Sequence, residues 1–391
     1  MRFYRLLPIG VTEILNVDTN VSSRINLMRI LLIAGIVFVH IPFDPQTSPY
    51  LGTYGALDWI RVYLGDSLFR IGVPCLSAIS GYLLFRKGLA VFDYGKVMRT
   101  KAETILLPFL LWNGGFLLIV FLAQKAGLGH GYVPDVTDTT PREWATQALA
   151  LEAWPINLPL YFLRDLLLCL LLSPLIGFMV MRYPRATLLV FLAYAVLPVP
   201  GGIFLKKSIL LGFSIGVYAS LHKVDVKRLD PHALQIVFAV GLSSLLLAIG
   251  LFVTGPEFPF WIDSLRELTA VSGIIGAWAL SSLLVQTRPG KAMGKGSGLS
   301  FWIFCAHYPL LIALWILWNR AGFESYPLFY VTAPLLVIAV LVATHSLVKK
   351  TAPGLLGLLT GNRIGTSRHN LPAVANRASP NEVSSHQRYR R

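Results

Sequence analysis

Arg24-Ile-Asn-Leu-Met-Arg-Ile-Leu-Leu-Ile-Ala-Gly-Ile-Val-Phe-Val-His40 is the stretch on which the fold turns. It is apolar and, with its flanks, long enough to enter a bilayer, yet it carries Asn26, Arg29 and His40 at spacings of 3 and 11 residues. Successive helical residues turn by about 100°, so the three fall on one face, with Ile33 and Ile36 between them. The helical rise separates Arg29 from His40 by ~16 Å along the axis. Ionisable residues inside a membrane span are costly and mark functional sites by default. The competing reading is a polar patch that holds helices together, for which arginine is an expensive choice.

The rest of the chain has the same character. Its 391 residues are 55% hydrophobic and 14% charged, whereas globular domains carry roughly 25% charged residues. This is the composition of an integral membrane protein, all-α and polytopic. Met1 to Ser23 has only a short apolar run broken by Pro8 and no small-residue cleavage site, so no secretory signal is expected. Cys75, Cys169 and Cys305 lie in apolar segments without metal-ligand spacing; they read as buried thiols, with neither disulfide nor metal site. A net charge of +15 could suggest nucleic acid, but the basic residues are scattered between apolar segments, where they report topology.

With ~20 apolar residues as a span, ten are expected, at about 25–42, 67–85, 104–124, 157–180, 186–205, 208–221, 233–254, 268–286, 299–318 and 327–348. Pro198, Pro200, Gly201 and Gly202 make the fifth and sixth the weakest. With the N-terminus inside, the tails and inner loops hold 24 of the 34 Lys and Arg residues, which predicts both termini in the cytoplasm and a bacterial inner-membrane location. Residues 1–24 then form a cytoplasmic N-terminal segment and 25–350 the membrane domain. Residues 351–391 read as a basic tail, polar and disordered from Gly361 onward, with a weak attraction to anionic lipid.

Depth sorts the polar residues inside the spans. His40, Arg70, Arg164 and Asp165 share a layer in the predicted outer half. Arg29 and the run Lys96, Arg99, Lys101 lie toward the predicted inner face, with His307 ~12 Å into span nine. Neutral imidazole can take a proton from a hydroxyl, and cations at an aqueous mouth can hold phosphates. A coenzyme A thioester needs both, an anchored anionic nucleotide and a thin arm carrying the acyl group to a distant base. Arg99 and Lys101 are equally readable as topology determinants, Arg164-Asp165 as an ion pair and His307 as a packing residue. Ser77, Ser80 and Gly81 read as a close-packing surface.

Five motifs in order add a resemblance. They are Asn26-Leu-Met-Arg29 with His40; Arg70-Ile-Gly-Val-Pro-Cys-Leu-Ser-Ala-Ile-Ser-Gly81; Arg99-Thr-Lys101 running to Pro108; Leu160-Tyr-Phe-Leu-Arg164-Asp165; and Phe304-Cys-Ala-His307-Tyr-Pro309. Over about residues 22–350 the chain resembles the acyltransferase-3 family of bacterial membrane proteins, and in particular members that succinylate the exopolysaccharide succinoglycan. The resemblance implies ten helices, an acyl-CoA donor such as succinyl-CoA or acetyl-CoA, and a polysaccharide or lipid-linked oligosaccharide acceptor. It implies His40 as the essential histidine, with Arg29, Arg99 and Lys101 toward the donor. Asn26 stands where the family commonly has Asp, and Lys101 where many members have Arg, which keeps the charge but loses bidentate binding.

The expectation is an O-acyltransferase in which His40, Arg70, Arg164 and Asp165 serve catalysis. Arg29, Arg99 and Lys101 bind the donor, and Asn26 and His307 border the substrate site. Other polysaccharide-assembly proteins are possible partners. Two other readings stand beside it: a transporter or flippase of a glycan or acyl precursor, and a non-catalytic subunit of an assembly complex.

Overall fold

The computed structural model describes residues 19–294 and 297–361, and among them the chain is helical without a strand. Its helices are α1 Thr19–Val39, α2 Ala56–Leu84, α3 Tyr94–Lys125, α4 Pro141–Leu149, α5 Leu158–Leu171, α6 Ser173–Arg182, α7 Pro184–Val196, α8 Lys207–Leu221, α9 Val226–Thr254, α10 Phe260–Leu284, α11 Arg288–Met293, α12 Ser297–Arg320, α13 Tyr326–Thr351 and α14 Pro353–Thr360. Seven are long and apolar enough to cross a membrane; there are eight if α5 and α6, bent by 64° at their junction, count as one span. The chain is therefore a multi-pass membrane protein.

The predicted fifth and sixth spans differ from what is observed. They are α7 and α8, of 13 and 15 residues, and at 1.5 Å per residue such helices rise only about 20 Å against a ~30 Å hydrocarbon core. Pro198 and Pro200 have no N–H to continue α7, so 197–206 runs as an irregular segment. The tail differs too. Residues 353–360, counted with the basic tail, are the apolar helix α14, with Leu356 buried and the Trp112 indole donating to the Leu359 carbonyl at 3.0 Å. The polar tail proper and the N-terminal segment before Thr19 lie outside the described residues.

α1 packs against α2, α10 and α12, burying Leu27, Met28, Leu32, Ile36 and Val37. Arg24 pins its start. Almost fully buried, it lies 3.7 Å over the Trp278 ring, pairs with Asp230 at 2.9 Å, and donates to Ser281 Oγ at 3.0 Å and the Trp278 carbonyl at 2.8 Å.

α2 and α8 cross at backbone contact. A Cβ on Gly216 would stand 1.9 Å from the Ala78 carbonyl oxygen, and one on Gly81 would stand 2.1 Å from that of Phe213. Gly212-x-x-x-Gly216 is thus a small-residue seam of the kind that lets membrane helices approach closely. Ser77 and Ser80 bond the carbonyls of Val73 and Leu76 within α2, as suits a packing surface.

Two helices leave regular α geometry where they meet the cavities below. In α2, π geometry over Val62–Ser67 passes into a 3-10 turn at Leu68–Ile71; Pro74 cannot donate to the Arg70 carbonyl. In α3, π geometry over Ala102–Leu106 lies just before Pro108, which has no N–H to donate to the Thr104 carbonyl one turn back.

Candidate active site

The stripe on α1 opens into two cavities. The first, of about 350 Å³, is lined by Arg29, Lys101, Thr100, Thr104 and Ser300 together with apolar residues that include Ile33, Phe162 and Phe304. Arg29 has no hydrogen bond or ion pair among the described residues. A cation kept from water without a counterion is a site for an anion. The second cavity, of about 410 Å³, is lined by Ile36, His40, Arg70, Tyr161, Lys206 and Glu267, with Trp154 and Arg266 also at its wall.

The two cavities share no lining residue. On α1, Ile33 borders one and Ile36 the other, less than one helical turn apart. The rings of Phe162 and Phe304 stand edge to face, 5.7 Å apart, in the wall of the basic cavity.

His40 is set by α12. His307 is fully buried, and its Nε2 lies 3.4 Å from His40 Nδ1. His307 Nδ1 is 2.8 Å from the Phe304 carbonyl and 3.1 Å from that of Ile303, while His40 Nδ1 is 2.9 Å from the Ile36 carbonyl. Carbonyls only accept, so each Nδ1 carries a proton and each neutral ring keeps its lone pair on Nε2. The single His40 Nδ1–H is shared between the Ile36 carbonyl, the nearer acceptor, and the His307 lone pair at 3.4 Å. His40 Nε2 is left as a bare acceptor for the cavity, the tautomer a general base requires.

Arg70 reaches the same cavity, held by Asp66 at 2.9 Å and the Gly65 carbonyl at 3.0 Å, with its Nη1 free of a partner among the described residues. Arg164 and Asp165 do not line it. Asp165, fully buried, accepts from the amides of Lys206 at 2.7 Å and Leu205 at 3.2 Å and from Arg164 at 2.7 Å. Arg164 also donates to the carbonyls of Ala150, at 3.0 Å, and Ile203. The pair is a clamp that carries Lys206 into the cavity wall. Arg99 is exposed and 3.7 Å from Glu103, outside the basic cavity's lining. Asn26 is half-buried one turn before Arg29.

A family model described as an acyltransferase domain matches residues 22–346. The chain belongs to the acyltransferase-3 family. Among its relatives is the succinoglycan biosynthesis protein ExoH of Rhizobium meliloti (strain 1021), 63% identical over 351 residues, which cover 90% of this chain and 95% of that protein. No solved structure matches. Family membership does not favour the transporter reading.

Sequence reasoning missed three features of the acyltransferase's site. It gave His307 no contact with His40, although an Ala-His-Tyr-Pro run on an apolar helix was visible. It placed Lys206 and Glu267 in water-facing loops, and it gave Tyr161 no role. The available signal for Lys206 was the Pro198–Gly202 break, which ends α7 early enough to fold the following residues inward.

Proposed function

We propose that the acyltransferase moves an acyl group, succinyl in the first instance, from acyl-CoA to a sugar hydroxyl of an exopolysaccharide or its lipid-linked repeat unit, in the bacterial inner membrane. The observation that carries this is His40 with its Nε2 bare in one cavity, whose α1 wall at Ile36 lies less than a helical turn from Ile33 in the wall of a second cavity, which holds Arg29 unpaired among the described residues. The excess of Lys and Arg in the tails and in the loops on their side supports a cytoplasmic basic cavity and cytoplasmic termini. The relationship to a succinoglycan biosynthesis protein supports a polysaccharide acceptor and a succinyl group.

In this reading the coenzyme A phosphates rest near Arg29 and Lys101, with Arg99 at the rim, and the thioester arm extends toward His40. Because the cavities share no wall residue, the arm passes by displacing the Phe162 and Phe304 rings. The acceptor hydroxyl attacks the thioester carbon as its proton goes to His40 Nε2. The C–S bond breaks and the proton passes to the departing thiolate. The free Nη1 of Arg70 stabilises the oxyanion.

The test is thiol release from succinyl-CoA by the purified full chain, with de-acylated polymer as acceptor, together with the mass of the substituent gained. His40→Ala, at matched protein level, should lower the rate by roughly 10²–10⁴. No thiol release by wild type, or near-normal acylation by His40→Ala, would reject the reading.

A further inference from the structure

The histidine cavity holds a charged atom that neither the mechanism nor a neighbouring side chain among the described residues uses. Glu267, on α10, is 5% exposed. Its Oε1 takes the Lys206 ammonium, and its Oε2, buried, has no hydrogen-bond partner among the described residues. A buried carboxylate oxygen left unpaired is costly, more so than a neutral group, and this one belongs to a side chain in the wall of a cavity.

The neighbouring charges restrict what could satisfy it. Every cation lining the cavity already faces a carboxylate: Arg70 has Asp66, Arg266 has Asp263 at 2.6 Å, and Lys206 has Glu267 itself. The unmet demand is therefore for a hydrogen-bond donor, and the ammonium on Oε1 disfavours a second cation beside it. A neutral O–H fits best. The aromatic edge of the cavity suits the carrier of such a group. Trp154 and Tyr161 stand edge to face, 4.7 Å apart, an apolar shelf of the kind on which the C–H face of a sugar ring rests.

We propose that Glu267 is the acceptor anchor: its Oε2 takes a hydrogen bond from one hydroxyl of a neutral sugar ring lying on Trp154 and Tyr161, so that another hydroxyl of the sugar meets His40 Nε2. The proposal rests on the acyl-transfer reading for the second hydroxyl's fate, but not for the binding itself. Lys206 and the clamp of Arg164 and Asp165 are then positioning residues, which hold the carboxylate's other oxygen.

In Glu267→Gln the Lys206 ammonium draws the amide oxygen and leaves the amide NH₂ at the place of Oε2, a donor where an acceptor is needed. The experiment is isothermal titration of the full chain in lipid nanodiscs with de-acylated succinoglycan oligosaccharides, without donor, on wild type, Glu267→Gln and Glu267→Asp. Hydrogen bonds to charged groups are worth about 1.5–3 kcal/mol, so Glu267→Gln should weaken binding roughly 10- to 100-fold. The succinyl-CoA KM should stay near wild type, which a general disturbance of the fold would not allow, while the melting temperature falls because Lys206 loses its counterion. If Glu267→Gln does not fold, Glu267→Asp keeps the charge and draws the oxygen back by one methylene, and should weaken binding in the same direction. Absence of saturable binding by wild type, or affinity within twofold of wild type in either folded variant, overturns the site. Binding that weakens as expected in a wild-type protein that releases no thiol would leave the site standing and remove acyl transfer instead.

Discussion

His307→Phe isolates what the second histidine contributes. The ring is fully buried, and the carbonyls of Ile303 and Phe304 that its Nδ1 meets are helix acceptors one turn back on α12. A phenyl group therefore fills the site without stranding them, and the functional loss is the Nε2 lone pair 3.4 Å from His40 Nδ1. When His40 takes the acceptor's proton, its Nδ1–H becomes part of an imidazolium. A hydrogen bond involving a charged group is worth about 1.5–3 kcal/mol against about 0.5–1.5 for a neutral one, so the gain on protonation is about 1–1.5 kcal/mol. At the observed separation the lower half of that range applies, which is roughly a 5- to 10-fold fall in kcat. Loss of the base itself costs roughly 10²–10⁴. The assay is thiol release under saturating donor and acceptor, normalised to folded protein, with KM for both substrates unchanged. Wild-type kcat in His307→Phe would show that the lone pair is idle. A loss as deep as that of His40→Ala, in folded protein, would make His307 the base and overturn the tautomer argument.

Two further predictions concern the scaffold. Gly216→Ala puts a methyl 1.9 Å from the Ala78 carbonyl oxygen, where ordinary contact begins at 3.4 Å; backbone on both sides must part by about 1.5 Å, at the upper end of the roughly 1–3 kcal/mol for overpacking. The melting temperature in detergent should fall clearly, while Gly114→Ala, with nothing within 4 Å, should leave it unchanged or raise it. In the 126–140 loop, the hydrogen bond from His130 to Asp135 raises the histidine above its ordinary 6.5. A raised folded value means that the contact contributes fully below pH 6.5 and is lost as pH rises through the raised value. Amide exchange around Val133 should quicken across that window and lose its pH step in Asp135→Asn; because both side chains are exposed, the global melting temperature should barely move.

The α1 stripe was legible because one helical period suffices to put Arg29 and His40 on a common face, and both do border cavities. The same reasoning could not supply His307. Depth along α12 follows from the sequence, but which side of the helix meets α1 depends on packing that no local pattern encodes. Arg164 and Asp165 were legible as charges at depth, yet such charges are retained for a clamp as readily as for chemistry, and here their partners are the backbone of 197–206, the Ala150 carbonyl and each other. Glu267 escaped because a carboxylate two turns into α10 reads as the polar start of a span. Its burial depends on the shortness of α7, which lets the irregular segment after it fold inward with Lys206. The ten-span count goes beyond the seven or eight full-length spans at the same place, since hydropathy registers apolar residues without asking whether one helix can hold them.

The chain leaves the described fold at Gly361, in the left-handed conformation, where an added Cβ would meet the Thr104 carbonyl oxygen at 2.5 Å. Thr104 is part of the rim around Arg29. An affinity handle or fluorescent fusion joined directly after this glycine would therefore stand beside the cavity proposed for the donor, and in that format a loss of activity would report obstruction as readily as the substitution. Kinetic work is better served by a handle at the opposite terminus, or by one that is cleaved away before assay.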